Sequence, residues 1–387
     1  MTHRTIYTEQ LPTLALVGLG ASEALVGLQR AFEPLSQLLQ LVALRAVGRV
    51  RKRSILLAGQ AFAVLAGLPL AAYGVLAKAG PELGPALALA SLALCAVGIV
   101  VGNAVWFPLL RGYVEPGRTG QFFAVLRSGW HLTLIVYFVA AERWLAAHPG
   151  SFGPLFAVAS LAGLLRIALV ARLPEARGCG RERLRARDAL GLLRSEPRLR
   201  RYLAGMILYG AALRAATPFA IVMMRRMLGL SDADVALATA AFYAGGFASL
   251  YVWGHVVDRF GPLPVFRLTA LGAAALLAAF ALLGGAAGAP AMVAFFFLLA
   301  ILNAGFGVAD THVLFGIAPE HEPTPTLVIA GLLTSLAYGA SPFAAGLLLS
   351  AALEAGIAQG PAYRCLFLAT AALGALAPLP LRRFGRR

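Results

Sequence analysis

Five ionisable side chains interrupt otherwise apolar stretches of this sequence: Glu23, Arg127, Arg166, Arg214 and Asp310, with His131 and His312 nearby. A charge at the centre of a bilayer costs about 2.5–3.5 kcal/mol on insertion scales, so such residues face water, a partner or a bound ion. A carboxylate placed there can take up a proton or a cation, and a guanidinium can receive an anion. Glu23 and Arg214 make the sharpest pair. With one helix starting near Pro12 and another near Tyr202, Glu23 lies eleven residues in and Arg214 twelve. At 1.5 Å per residue those depths are about 16 and 18 Å, close to the middle of a ~30 Å hydrocarbon core. The matched depths predict an ion pair between facing helices. Glu23 would bind the proton or cation, and Arg214 would steady it or receive an anionic group. The alternative is that each residue pairs within its own bundle. Asp310 with His312 is a second proton candidate, although Asp310 stands only about a turn and a half from the end of its stretch. A structural contact to the Arg259–Arg267 loop is an equal reading of it. Arg127 and Arg166 lie near enough to a membrane face to snorkel.

The elements that must position these residues are membrane spans. Hydrophobic residues make up 60% of the 387-residue chain and charged ones 13%, against about 25% charged in a soluble domain; mean hydropathy is +0.79. A spanning helix needs about 20 mainly apolar residues. Twelve stretches qualify: 12–31, 34–48, 54–77, 84–109, 120–141, 151–171, 202–224, 235–256, 263–283, 290–315, 326–350 and 362–381. Met1 to Glu9 reads as a short polar tail ahead of the first. An even count leaves both termini on one side. Of the 33 basic residues, 24 fall on that side and six, including Arg30, on the other. By the positive-inside rule the termini are cytoplasmic. The same split explains the net charge of +16 without a nucleic-acid partner. The one long polar interval, 172–200, is rich in arginine and divides the chain into 1–171 and 201–387. It reads as a solvated linker or a short amphipathic helix on the anionic leaflet. The three cysteines are too scattered for a disulfide framework or a metal site.

The two parts repeat weakly. At an offset of 207 residues, Pro116-Gly117-Arg118-Thr119-Gly120 falls on Pro323-Thr324-Pro325-Thr326, and Asn103 falls on Asp310. Between the eighth and ninth stretches stands Gly254-His255-Val256-Val257-Asp258-Arg259-Phe260-Gly261. This loop resembles the signature G-x-x-x-D-R-x-G of the major facilitator superfamily of transporters. Its counterpart in the first part keeps Gly48 but has Arg45 where the pattern has Asp.

The resemblance implies an all-α membrane protein of twelve transmembrane helices in two pseudo-symmetric six-helix bundles around a central cavity. It also implies secondary transport of a small-molecule substrate by alternating access, across the cytoplasmic membrane and with protons as a candidate coupling ion. In that family the signature Asp latches the cytoplasmic side against a helix start from the other half. Here that pairs Asp258, beside Arg259, with the start of the fifth span near Thr119, reinforced by Arg127; a helix start offers free N–H groups and partial positive charge. The substitution at Arg45 removes or rebuilds the mirror-image latch. Drug/proton antiporters of the superfamily carry an Arg in span four and a Gly-Pro motif in span five, and this sequence has neither. The alanine, leucine and glycine lining favours an apolar or amphipathic solute over a sugar, and proton-coupled efflux of such a compound is one form of transport that the resemblance implies. Among the residue patterns there is no catalytic, metal or cofactor motif, which reads as a non-enzyme. The chain is expected to act as a monomer in the lipid bilayer. The alternative is a sensor or scaffold that keeps the fold without transporting.

Overall fold

The computed structural model describes residues 2–40, 51–106, 109, 119–173, 191, 193–283, 288–317 and 324–383, and these are helical apart from short connections. The α-helices in order are α1 (Thr2–Thr8), α2 (Gln10–Gly18), α3 (Glu23–Ser36), α4 (Lys52–Ala71), α5 (Tyr73–Lys78), α6 (Leu83–Asn103), α7 (Thr119–Ala147), α8 (Gly153–Ala171), α9 (Pro197–Arg226), α10 (Asp232–Phe260), α11 (Pro262–Leu283), α12 (Ala289–Ile317), α13 (Thr324–Glu354) and α14 (Gln359–Leu376). Among the described residues, nine helices are long and apolar enough to cross a membrane. From residue 52 onward the expected stretches and the helices coincide to within six residues at their ends.

The first two spans differ from expectation. No helix covers 12–31. Instead α2 stops at Gly18, the chain turns through Leu19–Ser22 with Gly20 at φ 82°, and α3 begins at Glu23. Only glycine adopts that backbone region without strain, and the Ser22 hydroxyl then accepts the Leu25 N–H at 3.4 Å as an N-cap. Residues Thr2–Thr8, expected as a polar tail, form a helix whose His3, Thr5, Ile6, Tyr7 and Thr8 are buried. Tyr7 bonds Ser160 at 2.7 Å and His3 bonds Gln60 at 3.0 Å, which fasten α1 to α8 and α4. The stretch expected at 34–48 is α3 with a short 3-10 turn at Gln37–Leu39; residues 41–50 lie outside the described residues. So do 174–190, which hold most of the expected amphipathic linker.

Two groups of helices pack internally and then on each other. In the first, α4 packs on α6 and α8, α3 on α6, and α1 on α8. In the second, α10 packs on α12, α9 on α13 and α14, and α11 on α12 and α14. Between the groups, α3 lies along α13 and α7 along α10, while α9 touches α2 and α3. The α3–α13 seam is close because it lacks side chains. A Cβ on Gly27 would overlap the Pro342 carbonyl, and one on Gly346 the Glu23 carbonyl.

Candidate functional site

The site begins with a proline. Pro12 has no N–H, and its ring crowds the carbonyl four residues earlier, that of Thr8. The helix breaks there, with Glu9 at φ −107° and ψ −123° between α1 and α2. The released Thr8 carbonyl accepts Nη1 of Arg30 on α3 at 2.9 Å. Arg30 Nη2 donates to Glu9 Oε2 at 2.8 Å. From the other half, Arg214 Nη1 on α9 donates to Glu9 Oε1 at 3.2 Å. One carboxylate is therefore shared by two guanidiniums, one from each half.

The depth of this cluster follows from α9. Arg214 lies seventeen residues from the start of that helix and twelve from its end, about 26 and 18 Å along the axis. It is near mid-membrane. Yet 43% of its side chain stays open, against 4% for Arg30 and 23% for Glu9. A guanidinium at that depth, between helices of both halves, calls for water or a partner rather than lipid. Around it, Tyr243 donates to Gln10 Oε1 at 3.2 Å, and Thr13 donates to Gln29 Oε1 at 3.1 Å. Tyr338 presents its ring 5.9 Å from the Arg214 guanidinium carbon. Trp130, whose indole donates to Thr5 at 3.2 Å, stands 6.3 Å from the Tyr243 ring.

The expected pair of Glu23 with Arg214 is not made. Glu23 starts α3 at the end of the molecule opposite the chain termini, about a dozen residues from Arg214 in depth. There it takes Arg226 Nη1 at 2.6 Å and the Tyr363 hydroxyl at 3.1 Å. The physical reason is the turn at Leu19–Ser22, which moves Glu23 from mid-helix to a helix start. Arg214 keeps a carboxylate partner, but it is Glu9. Arg30, counted at the face opposite the termini, is buried beside it. Two further contacts join the halves at the Glu23 end: the Ala24 N–H donates to Ser350 at 3.0 Å, and the Gly150 N–H to Asp232 at 3.3 Å. Asp232 also faces Arg225 Nε at 2.8 Å.

At the opposite end, no charge contact between the halves through Asp258 is made among the described residues. Its carboxylate is 76% exposed, and its one ionisable partner within 4 Å among the described residues is His312 Nε2, 3.8 Å away in the same half. Arg127 is exposed on α7; α7 starts at Thr119, whose side chain lies outside the described residues. Arg259 lies over its neighbour Phe260, 5.3 Å from the ring centre. A Cβ at Gly254 would meet nothing within 4 Å, and Gly261 closes α10 at φ 80°, a backbone region that favours glycine. Asp310 is not brought to the Arg259–Arg267 loop but hydrogen-bonds the Tyr202 hydroxyl on α9. Asn103 accepts from Arg166 at 3.2 Å, and Arg166 also donates to Gln60 at 3.0 Å and covers Trp106 at 5.0 Å. Arg166 is thus tied into one half rather than extended to the surface. Among the described residues no cluster of His, Cys, Asp and Glu is arranged to hold a metal.

Neither a protein-family model nor a curated protein sequence matches the chain. Solved structures do. Nucleoside transporter NupG superposes with a TM-score of 0.70 at 11% identity, covering 98% of this chain and 94% of that one. A bacterial homologue of the human lysosomal transporter Spinster, inward-facing and unoccupied, gives 0.70 at 14%, covering 99% and 96%. The chain has the major facilitator fold. A bacterial homologue of the iron transporter ferroportin superposes in both its states at 17% identity. Its inward-facing state gives a TM-score of 0.69, covering 100% of this chain and 95% of that one, and its outward-facing state 0.58, covering 100% of each. Two major facilitator bundles with the Glu9 cluster between them make a multi-pass membrane protein whose polar centre is shared by both halves.

Proposed function

We propose that the chain is a secondary transporter, not an enzyme, which carries a small solute across the cytoplasmic membrane by alternating access. The carrying observation is the Arg214–Glu9 contact, which spans the two halves at mid-depth and leaves 43% of the Arg214 side chain open. A site held jointly by two bundles is remade each time one rocks against the other. Both termini are placed in the cytoplasm, on the arginine split. The Glu23 end is then external and closed, and the Asp258 end is cytoplasmic and open. Support comes from the exposed Asp258 and from the better superposition on inward-facing than on outward-facing ferroportin homologue. In this reading Asp258 meets the start of α7 only when the cytoplasmic side closes. The direction proposed is export, with the solute loaded from the cytoplasmic cavity. Proton coupling is assigned to Asp310, because a carboxyl bonded to a hydroxyl can accept from Tyr202 when ionised or donate to it when protonated.

The test needs no known substrate. His131, on α7 beside Tyr243, is replaced by cysteine in a chain lacking Cys95, Cys179 and Cys365, and the protein is reconstituted in vesicles. An impermeant thiol reagent should label this site from either face. Labelling from the Asp258 face alone, under every ion gradient tried, would mean a fixed scaffold or sensor and would sink the reading.

A further inference from the structure

The two arginines that share Glu9 are not equivalent. Arg30 spends Nη1 on the Thr8 carbonyl and Nη2 on Glu9, and is closed off. Arg214 makes one hydrogen bond, from Nη1, and its Nε and Nη2 have no partner among the described residues. Its 3.2 Å contact is also longer than the 2.8 Å bond on the Arg30 side. A guanidinium offers a rigid fork that suits an oxyanion bidentately, and here that fork is left 43% open with one leg loosely held. Arg30, Arg214 and Glu9 carry a net charge of +1, and the neighbouring Glu33 is matched by its own partner Arg4, so an arriving anion neutralises the cluster and a cation does not. Tyr338 lies against Arg214, and Trp130 and Tyr243 stand nearby, giving apolar surface beside the fork.

We propose that this site takes a small organic monoanion, a carboxylate on an apolar or aromatic body, and that it binds Arg214 by displacing Oε1 of Glu9. Glu9 keeps its bond to Arg30 and acts as the internal anion that occupies Arg214 when no solute is present. The inference rests on the transporter reading for its biological sense, but equilibrium binding tests it separately. An anion seated on Arg214 replaces the tie between the halves with one that moves with a single half.

The purified full chain is titrated calorimetrically with benzoate and octanoate, and with benzamide and octanamide as uncharged matches. The carboxylates should bind and the amides should bind at least tenfold more weakly. Arg214→Gln should weaken carboxylate binding roughly 10–100-fold, the range for one charge-assisted hydrogen-bonded contact. Glu9→Gln should strengthen it about tenfold, because the neutral amide no longer competes as a charge. A merely structural carboxylate would give the opposite sign. If Arg214→Gln does not fold, Arg214→Lys keeps the charge without the fork and should weaken binding about fivefold. Amides binding as tightly as carboxylates, unaltered binding in the Arg214 variant, weaker binding in Glu9→Gln, or no carboxylate binding at all would each overturn the proposal. Two-faced labelling at position 131 alongside such a result would leave transport standing. Carboxylate binding with one-faced labelling would refute transport alone.

Discussion

Closure at the Glu23 end can be measured as a population. The contact has two parts: the Arg226–Glu23 pair, whose side chains are 25% and 7% exposed, and the glycine seam where Gly27 meets Pro342. Breaking a fully buried ion pair by removing one partner costs about 3–5 kcal/mol. Arg226 is partly exposed, and Tyr363 would still bond Glu23, so Arg226→Gln should cost about 1–3 kcal/mol. Gly27→Ala places a methyl against the Pro342 carbonyl, an overpacking of about 1–3 kcal/mol. Both costs fall only on the state in which this end is closed. Since 1.4 kcal/mol is tenfold, each variant should move the closed-to-open ratio by roughly 5- to 150-fold. Gly27 is one turn from Glu23, so the two effects should not add fully. The assay is a distance distribution between spin labels at Lys78 and Glu354, which stand on the two halves at this end and are both exposed. A longer-distance population should grow in each variant. If the distribution is unchanged in both while the protein stays folded, the α3–α13 seam does not hold this face closed.

Pro12→Ala restores an N–H for the Thr8 carbonyl, so α1 and α2 should straighten. Its thermal midpoint should rise while benzoate binding falls, because Glu9 no longer sits in the break; a rise with unchanged binding would disconnect the break from the site. Arg166→Leu leaves Gln60 and Asn103 without their donor and should cost about 1–3 kcal/mol of stability, read as a lower thermal midpoint, with benzoate affinity unchanged. Asp258→Asn should alter stability by less than about 0.5 kcal/mol, as for exposed positions generally. It should also raise cytoplasmic-face labelling at position 131 about two- to fivefold, by removing a helix-terminus contact of about 0.3–1 kcal/mol from the closed state. Unaltered labelling would mean that Asp258 has no part in closure.

The helices from residue 52 onward were legible because each is a run of about 20 apolar residues bounded by proline, glycine or charge, which is what a bilayer requires. The first 40 residues misled for a related reason. Hydropathy registers lipid-facing surface, but α1 and the start of α2 face protein, where His3, Thr5, Thr8 and Gln10 are buried and bonded. Such a segment looks like a tail. The turn at Leu19–Ser22 carries no charge and no proline, so an apolar run passes through it without a mark. Its Gly-x-Ser spacing, with Ser22 three residues before Leu25, was the one available sign.

That displacement of register decides the site. Hydropathy puts Glu9 in a tail and Glu23 in mid-span, whereas in the fold Glu9 sits in the helix break and Glu23 at a helix start. Arg214 falls well inside α9 because that helix is long and unambiguous, and a mid-membrane arginine demands an acid from elsewhere in the chain. Pro12 was in plain view as the nominal start of a span. Proline suits a first helical turn, but four residues after a threonine inside a longer helix it does something else: it frees a carbonyl and opens a break. Arg30 fills both needs, bonding the Thr8 carbonyl and the Glu9 carboxylate at once. The carboxylate is then held at a break in the backbone, bonded to a closed arginine on its own side and to an open one across the interface. Rocking the halves must change the second bond and need not touch the first. This makes the Glu9–Arg214 distance the coordinate along which solute binding and the movement of the bundles are coupled.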